Sequence, residues 1–253
     1  MATLASVALS SSIFQNIPYV APEAFVYAFL GGLLPALVWL WFWMHEGHDH
    51  HESKSTIWYT FIAGMVAVIL VLPFQQFAQF FIGKSENDIW TITIWAGLEE
   101  LFKFGAAYLI ALRSRKIFDE PIDAFVYLMT AALGFAAMEN MIFLITPLIQ
   151  GQTLISIMTG NMRFMGANLL HVASSGVLSI FIGLTYYKKK WLQRTSVVFG
   201  LIVATLLHAL FNFLIILVTE VQEQRIFIAF SFVWFAIVLL ILALERVKTI
   251  KDF

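Results

Sequence analysis

Apolar residues run along this chain in blocks of about 20, the length that crosses the hydrocarbon core of a bilayer. Polar residues gather in the short breaks between them. Seven blocks read as transmembrane helices, at approximately 24–44, 57–82, 89–112, 122–145, 162–187, 195–219 and 226–246. The breaks are short, so neighbours in sequence are expected to be antiparallel neighbours in space. Residues 1–23 are moderately apolar and rich in Ser and Ala, which suits an interfacial helix better than a span. The expected fold class is all-α, a polytopic transmembrane helical bundle of about seven spans making one integral membrane domain, 1–253.

Composition agrees. Of 253 residues, 60% are hydrophobic and 12% charged, and the mean hydropathy is +0.85. A soluble domain carries about twice that charge. The expected location is the cell membrane as a multi-pass protein, with the lipid bilayer and no nucleic acid as partner. The absence of cysteine excludes disulfides, thiolate metal sites and a cysteine nucleophile. No Lys or Arg occurs in the first 23 residues, which argues against a cleavable signal peptide with a basic start.

Charge distribution orients the bundle. Eleven Lys and Arg fall in one alternating set of breaks, among them Arg113, Arg115, Lys116 and Lys188 to Lys190. The other set holds three, Lys84, Arg163 and Arg225. The positive-inside rule then predicts an outside N-terminus and a cytoplasmic C-terminus.

Against this pattern, the third block carries Glu99, Glu100 and Lys103 in its middle. A charge at the centre of a span costs about 2.5–3.5 kcal/mol on insertion scales, so such residues mark function by default. Glu139, His171 and His208 repeat the anomaly in the next three blocks. At about 1.5 Å per residue, Glu99 and Glu100 lie about 15 Å from the outer surface and His171 about 14 Å. Entering from the cytoplasm, Glu139 lies about 25 Å along its span and His208 about 20 Å. All fall between the midplane and the outer half, which points to one buried site.

Lys103 can pair with Glu99 (i,i+4) or Glu100 (i,i+3) on its own helix. Two adjacent carboxylates beside one lysine favour a shared proton, an arrangement suited to general acid–base work on water. A structural ion pair between helices is the competing reading. His171, His208 and Glu139 on separate helices match the ligand types of a catalytic zinc site with an open fourth position, although no His-Glu-x-x-His helix is present. Neutral imidazoles serve equally well in acid–base roles.

Glu99-Glu100-x-x-Lys103, Phe135-x-x-x-Glu139-Asn140, His171 and His208-x-x-x-Asn212 resemble the PrsW family of intramembrane proteases, over roughly residues 89–215, the expected catalytic core. That family is related to the CAAX-type and bacteriocin-processing membrane proteases, whose pattern is Glu-Glu-x-x-x-Arg, Phe-x-x-x-His and His-x-x-x-Asn or Asp. Here Lys103 comes one residue early and Glu139 replaces a histidine, departures that fit PrsW and argue against prenyl-protein processing. The resemblance implies a membrane-embedded peptidase. It would cut a single-span, membrane-anchored regulatory protein, such as an anti-sigma factor, near the extracytoplasmic side. Glu99 or Glu100 would deprotonate water, and His208 with Asn212 would stabilise the oxyanion. Both a Zn²⁺-dependent and a metal-free mechanism are compatible with it.

One further segment, His45-Glu-Gly-His48-Asp-His50-His51-Glu52, falls in a cytoplasmic loop by this topology. Short His-rich tracts bind divalent metals, so a zinc transporter with a His-rich cytoplasmic loop is the alternative function. Transport predicts ligands at several depths and an internal repeat. The ionisable residues here share one depth, and no repeat is evident. A solvated tract with incidental metal affinity also accounts for the loop.

Overall fold

The computed structural model describes residues 22–46, 52–221 and 226–250. Most of the His-rich loop, 47–51, and the interfacial helix expected before residue 22 lie outside the described residues. Among the described residues seven helical rods follow one another: α1 (Pro22–Glu46), α2 (Lys54–Ile82), α3 (Ile89–Ala107, continued by a π-helical turn Tyr108–Leu112), α4 (Asp123–Ile149), α5 (Thr153–Leu184), α6 (Lys190–Val221) and α7 (Ile226–Lys248). No strand occurs among the described residues. Six rods are long and apolar enough to cross a membrane. The seventh is α3, whose central Glu99, Glu100 and Lys103 interrupt the apolar run.

Local chemistry sets the rod ends. Asp88 caps α3 by accepting a hydrogen bond from the Trp90 N–H at 3.0 Å, the side-chain acceptor that an orphan N-terminal donor requires. Gly83 ends α2 in the left-handed region at φ +62°, returning its N–H to the Gln79 carbonyl.

The fifth rod departs from the sequence expectation. It starts at Thr153, not near 162, because Thr153, Ser156, Thr159 and Asn161 dilute the hydropathy of its first turns without breaking the helix. Inside it, Arg163–Ala167 forms a π-helical turn. Arg163 therefore belongs to a helix and not to a loop.

α4 is the central rod, buried along almost all of residues 123–137. It packs on α1, α2, α3 and α5, while α3 lies between α2 and α6. Glycine permits the closest crossing. A Cβ at Gly64 of α2 would sit 2.1 Å from the Ala131 carbonyl oxygen, and one at Gly134 of α4 would sit 2.0 Å from that of Phe61. Membrane helices pack through such small residues because lipid offers no hydrophobic drive to hold them together. Gly134→Val is expected to separate α2 from α4 and prevent a folded monodisperse protein in detergent, as read by size-exclusion chromatography. Gly105→Val, where a Cβ meets nothing within 4 Å, is expected to leave that profile unchanged.

The periphery is apolar. Trp41, Trp58, Tyr59, Phe77, Phe80, Phe81, Trp90, Phe227 and Leu242 all stand more than half or close to half exposed on the outside of the bundle. Apolar cover on that scale exceeds what water-soluble monomers show and suits contact with lipid. Charge is turned inward instead.

Candidate active site

Glu100 is the hub of the interior. Its Oε1 accepts from Lys103 Nζ at 2.6 Å, His208 Nδ1 at 2.7 Å and Ser174 Oγ at 2.8 Å, and its Oε2 accepts from Ser175 Oγ at 2.9 Å. Glu100 and Lys103 are both 0% exposed. A buried carboxylate survives in a low-dielectric interior only when paired and hydrogen-bonded, and four donors from α3, α5 and α6 meet that condition. The lysine takes the i,i+3 option, because the i,i+4 residue, Glu99, points elsewhere.

Lys103 also donates to His171 Nδ1 at 2.8 Å and lies 4.8 Å from the Phe135 ring centroid. An ammonium has only donors, so His171 Nδ1 is the acceptor and its Nε2–H donates to Glu139 Oε2, 2.8 Å away. Glu139 is held in turn by Arg163 Nη2 at 2.5 Å. Arg163 Nε donates to Asn140 Oδ1 at 2.5 Å, Asn140 Nδ2 donates to Asn168 Oδ1 at 2.7 Å, and the guanidinium stacks 4.0 Å from the Phe143 centroid. The same reasoning fixes His208. Its Nδ1–H is given to Glu100, and in the neutral ring that leaves the Nε2 lone pair on the side of Glu99 Oε2, 3.5 Å away.

The two adjacent acids are thus unlike. Glu99 accepts from Gln75 Nε2 at 3.0 Å through Oε1, whereas Oε2 is buried with no hydrogen-bond partner. Trp95 fixes the helix that carries the glutamine by donating to the Gln75 carbonyl at 3.1 Å. Glu99, Glu139, His171, His208 and Asn212 all line one cavity of about 230 Å³, roomy enough for on the order of ten waters. Glu100 and Lys103 do not line it. The cavity runs from this cluster past apolar walls that include Val71, Ile92, Phe211 and Phe230 to Glu86, in the α2–α3 connection.

All seven residues singled out from sequence are accounted for: six make one hydrogen-bonded cluster or its rim, and Asn212 shares the cavity. Four participants were not among the seven. Gln75 and Arg163 position Glu99 and Glu139, and Ser175 completes the Glu100 cradle with Ser174. The metal-ligand geometry also differs from the expected set. Glu99, His171 and His208 present ligand atoms within 4.8 Å of one another, while Glu139 is committed to Arg163 and His171.

Carboxylates and imidazoles around a cavity large enough for water, at mid-length of rods long and apolar enough to cross a membrane, suit a membrane-embedded hydrolase. Residues 52–242 match the family model described as PrsW family intramembrane metalloprotease. Curated relatives agree: "Protease PrsW" of Oceanobacillus iheyensis is 28% identical over 238 residues, covering 87% of this chain and 94% of that protein. That of Halalkalibacterium halodurans is 26% identical over 227 residues, covering 85% and 93%. That of Clostridioides difficile is 25% identical over 194 residues, covering 75% and 79%. No solved structure matches the chain. The chain belongs to the PrsW family of intramembrane proteases, and its activity is that of a peptidase.

Proposed function

We propose that this peptidase hydrolyses one peptide bond of a single-span, membrane-anchored regulatory protein of the anti-sigma-factor kind, near the extracytoplasmic side, with Glu99 activating the water. The observation that carries this reading is Glu99 Oε2, a carboxylate oxygen with no hydrogen-bond partner on a buried residue that lines the cavity beside His208. Charge balance supports it. Two cations, Lys103 and Arg163, face two committed carboxylates, Glu100 and Glu139. Glu99 is the third acid, and no cation of the cluster is spent on it, so its proton is the exchangeable one.

Each step uses a placed atom. Water between Glu99 Oε2 and the scissile carbonyl gives its proton to Glu99 as its oxygen attacks carbon. The negative charge that develops on the carbonyl oxygen is met by donors on the cavity wall, with Asn212 the neutral donor one helical turn from His208. Glu99 then returns the proton to the departing amine, the same group serving as base and acid. His208, oriented by Glu100, and His171, oriented by Lys103 and Glu139, keep that region polar and fixed.

A Zn²⁺ fits part of the same donor set. His208 Nε2 and Glu99 Oε2 have free lone pairs, whereas His171 would first have to release Glu139. His171, His208 and Glu99 would hold the ion, which would supply Lewis-acid polarisation of the carbonyl and of water.

The cytoplasmic C-terminus and outside N-terminus are proposed from the charge asymmetry, and they put the α2–α3 connection on the extracytoplasmic face. The test is co-expression with single-span reporters whose extracytoplasmic domain is released on cleavage. Release by the wild-type chain is expected. Retention of every reporter in an anti-sigma-factor panel, with the protease folded in the membrane, would overturn the substrate assignment.

A further inference from the structure

The far end of the cavity carries a charge that the hydrolytic reading does not use. Of the acids and bases lining it, Glu139 and Arg163 neutralise each other, His171 and His208 are held by Glu139 and Glu100, and Glu99 is assigned to water. Glu86 remains. It lies in the α2–α3 connection, is partly buried, and its Oε2 is inaccessible and without a hydrogen-bond partner. The nearest lysine in sequence, Lys84, is paired with Asp88 instead, at 3.4 Å. An unpaired carboxylate oxygen withdrawn from water is costly until a cation meets it.

We propose that Glu86 is a specificity subsite that accepts a lysine or arginine side chain of the substrate. The inference rests on the peptidase reading of the same cavity. Apolar walls between Glu99 and Glu86 suit the end of a transmembrane segment, and a Lys or Arg just beyond that end can lay its stem along them and bring its charge to the carboxylate. Such residues are sparse at extracytoplasmic span ends, which makes one there discriminating. Spacing sets the register. Ile89 opens α3 ten residues before Glu99, about 15 Å away along the helix axis, and Glu86 lies in the connection just beyond that end. Extended chain covers that distance in about four to five residues. The basic residue therefore lies about four to five residues from the scissile bond, on the side nearer the α2–α3 connection.

A double-substitution cycle tests this. A single-span substrate with lysine scanned through positions two to eight from the cut is cleaved by wild-type enzyme and by Glu86→Gln. For wild type, KM is expected to be lowest with lysine at position four or five. Glu86→Gln is expected to raise KM for that substrate about tenfold with kcat little changed, and to cost nothing further on the substrate whose lysine is replaced by glutamine. Glu86→Lys should prefer glutamate at the same position. Photocrosslinking to the Glu99→Gln background reads binding separately from cleavage, and adding Glu86→Gln there should reduce it by a similar factor. Equal KM for lysine and glutamine substrates in wild type, or crosslinking indifferent to Glu86, would overturn the subsite while leaving the peptidase reading intact. Crosslinking that depends on Glu86, with no cleavage by wild type, would overturn the hydrolytic reading and leave the subsite standing.

Discussion

Glu99→Gln is expected to yield a folded, membrane-inserted protein that releases none of its substrate above background. Glutamine keeps the volume of the side chain. Its amide oxygen accepts the Gln75 bond, and its NH₂ group donates to the bare Nε2 of His208, 3.5 Å away in the wild type. The interior therefore gains a hydrogen bond and loses only the ability to take a proton. Removing a general base lowers rates by about 10²–10⁴-fold. Substrate release in cells should vanish while the melting temperature in detergent stays at or above that of the wild type. Loss of release accompanied by loss of folded protein would assign Glu99 to the scaffold.

The largest effect on stability is expected at Lys103. Lys103→Met leaves Glu100 as a buried, uncompensated carboxylate, at a cost of about 3–5 kcal/mol. Folded proteins hold only about 5–15 kcal/mol in reserve, so little of this variant should accumulate. Glu100→Gln is expected to suffer similarly, because it strands the lysine 0% exposed beside His171. Combining Lys103→Met with Glu100→Gln removes both charges and should restore much of the folded yield, the non-additivity that contacting groups show. Activity should not return, since His171 loses the donor at its Nδ1 and His208 loses its charged acceptor. A double variant as poorly folded as the worse single one would show that the ion pair is not what couples the two sites.

Much of this site was legible from residues alone, for a physical reason. In segments otherwise fit for lipid, Glu99, Glu100, Lys103, Glu139, His171 and His208 are costly enough to stand out singly, and helical rise put them at one depth. Their division of labour was not legible. Adjacent residues on a helix point about 100° apart, and nothing in Glu99-Glu100 says which of the two faces α5. Only the packing of α3 against α5 and α6 sends Glu100 to the two serines and Glu99 to the cavity. Gln75 was hidden because an uncharged amide in a span costs far less than a charge. Arg163 was hidden because polar residues around it made the start of α5 look like a loop, and a cation there counts naturally as a topology signal. The seven-rod bundle followed directly from hydropathy. The close α2–α4 crossing did not, because Gly64 and Gly134 are only two of 14 glycines, and their partners are backbone carbonyls.

The most direct test of the account is cleavage by purified protein in liposomes containing one single-span substrate, with the fragments identified by mass spectrometry. Wild-type protein is predicted to make one cut near the end of the substrate's span that faces the α2–α3 connection, and Glu99→Gln, equally folded and equally reconstituted, to make none. Cutting at the same position and rate by Glu99→Gln would contradict it.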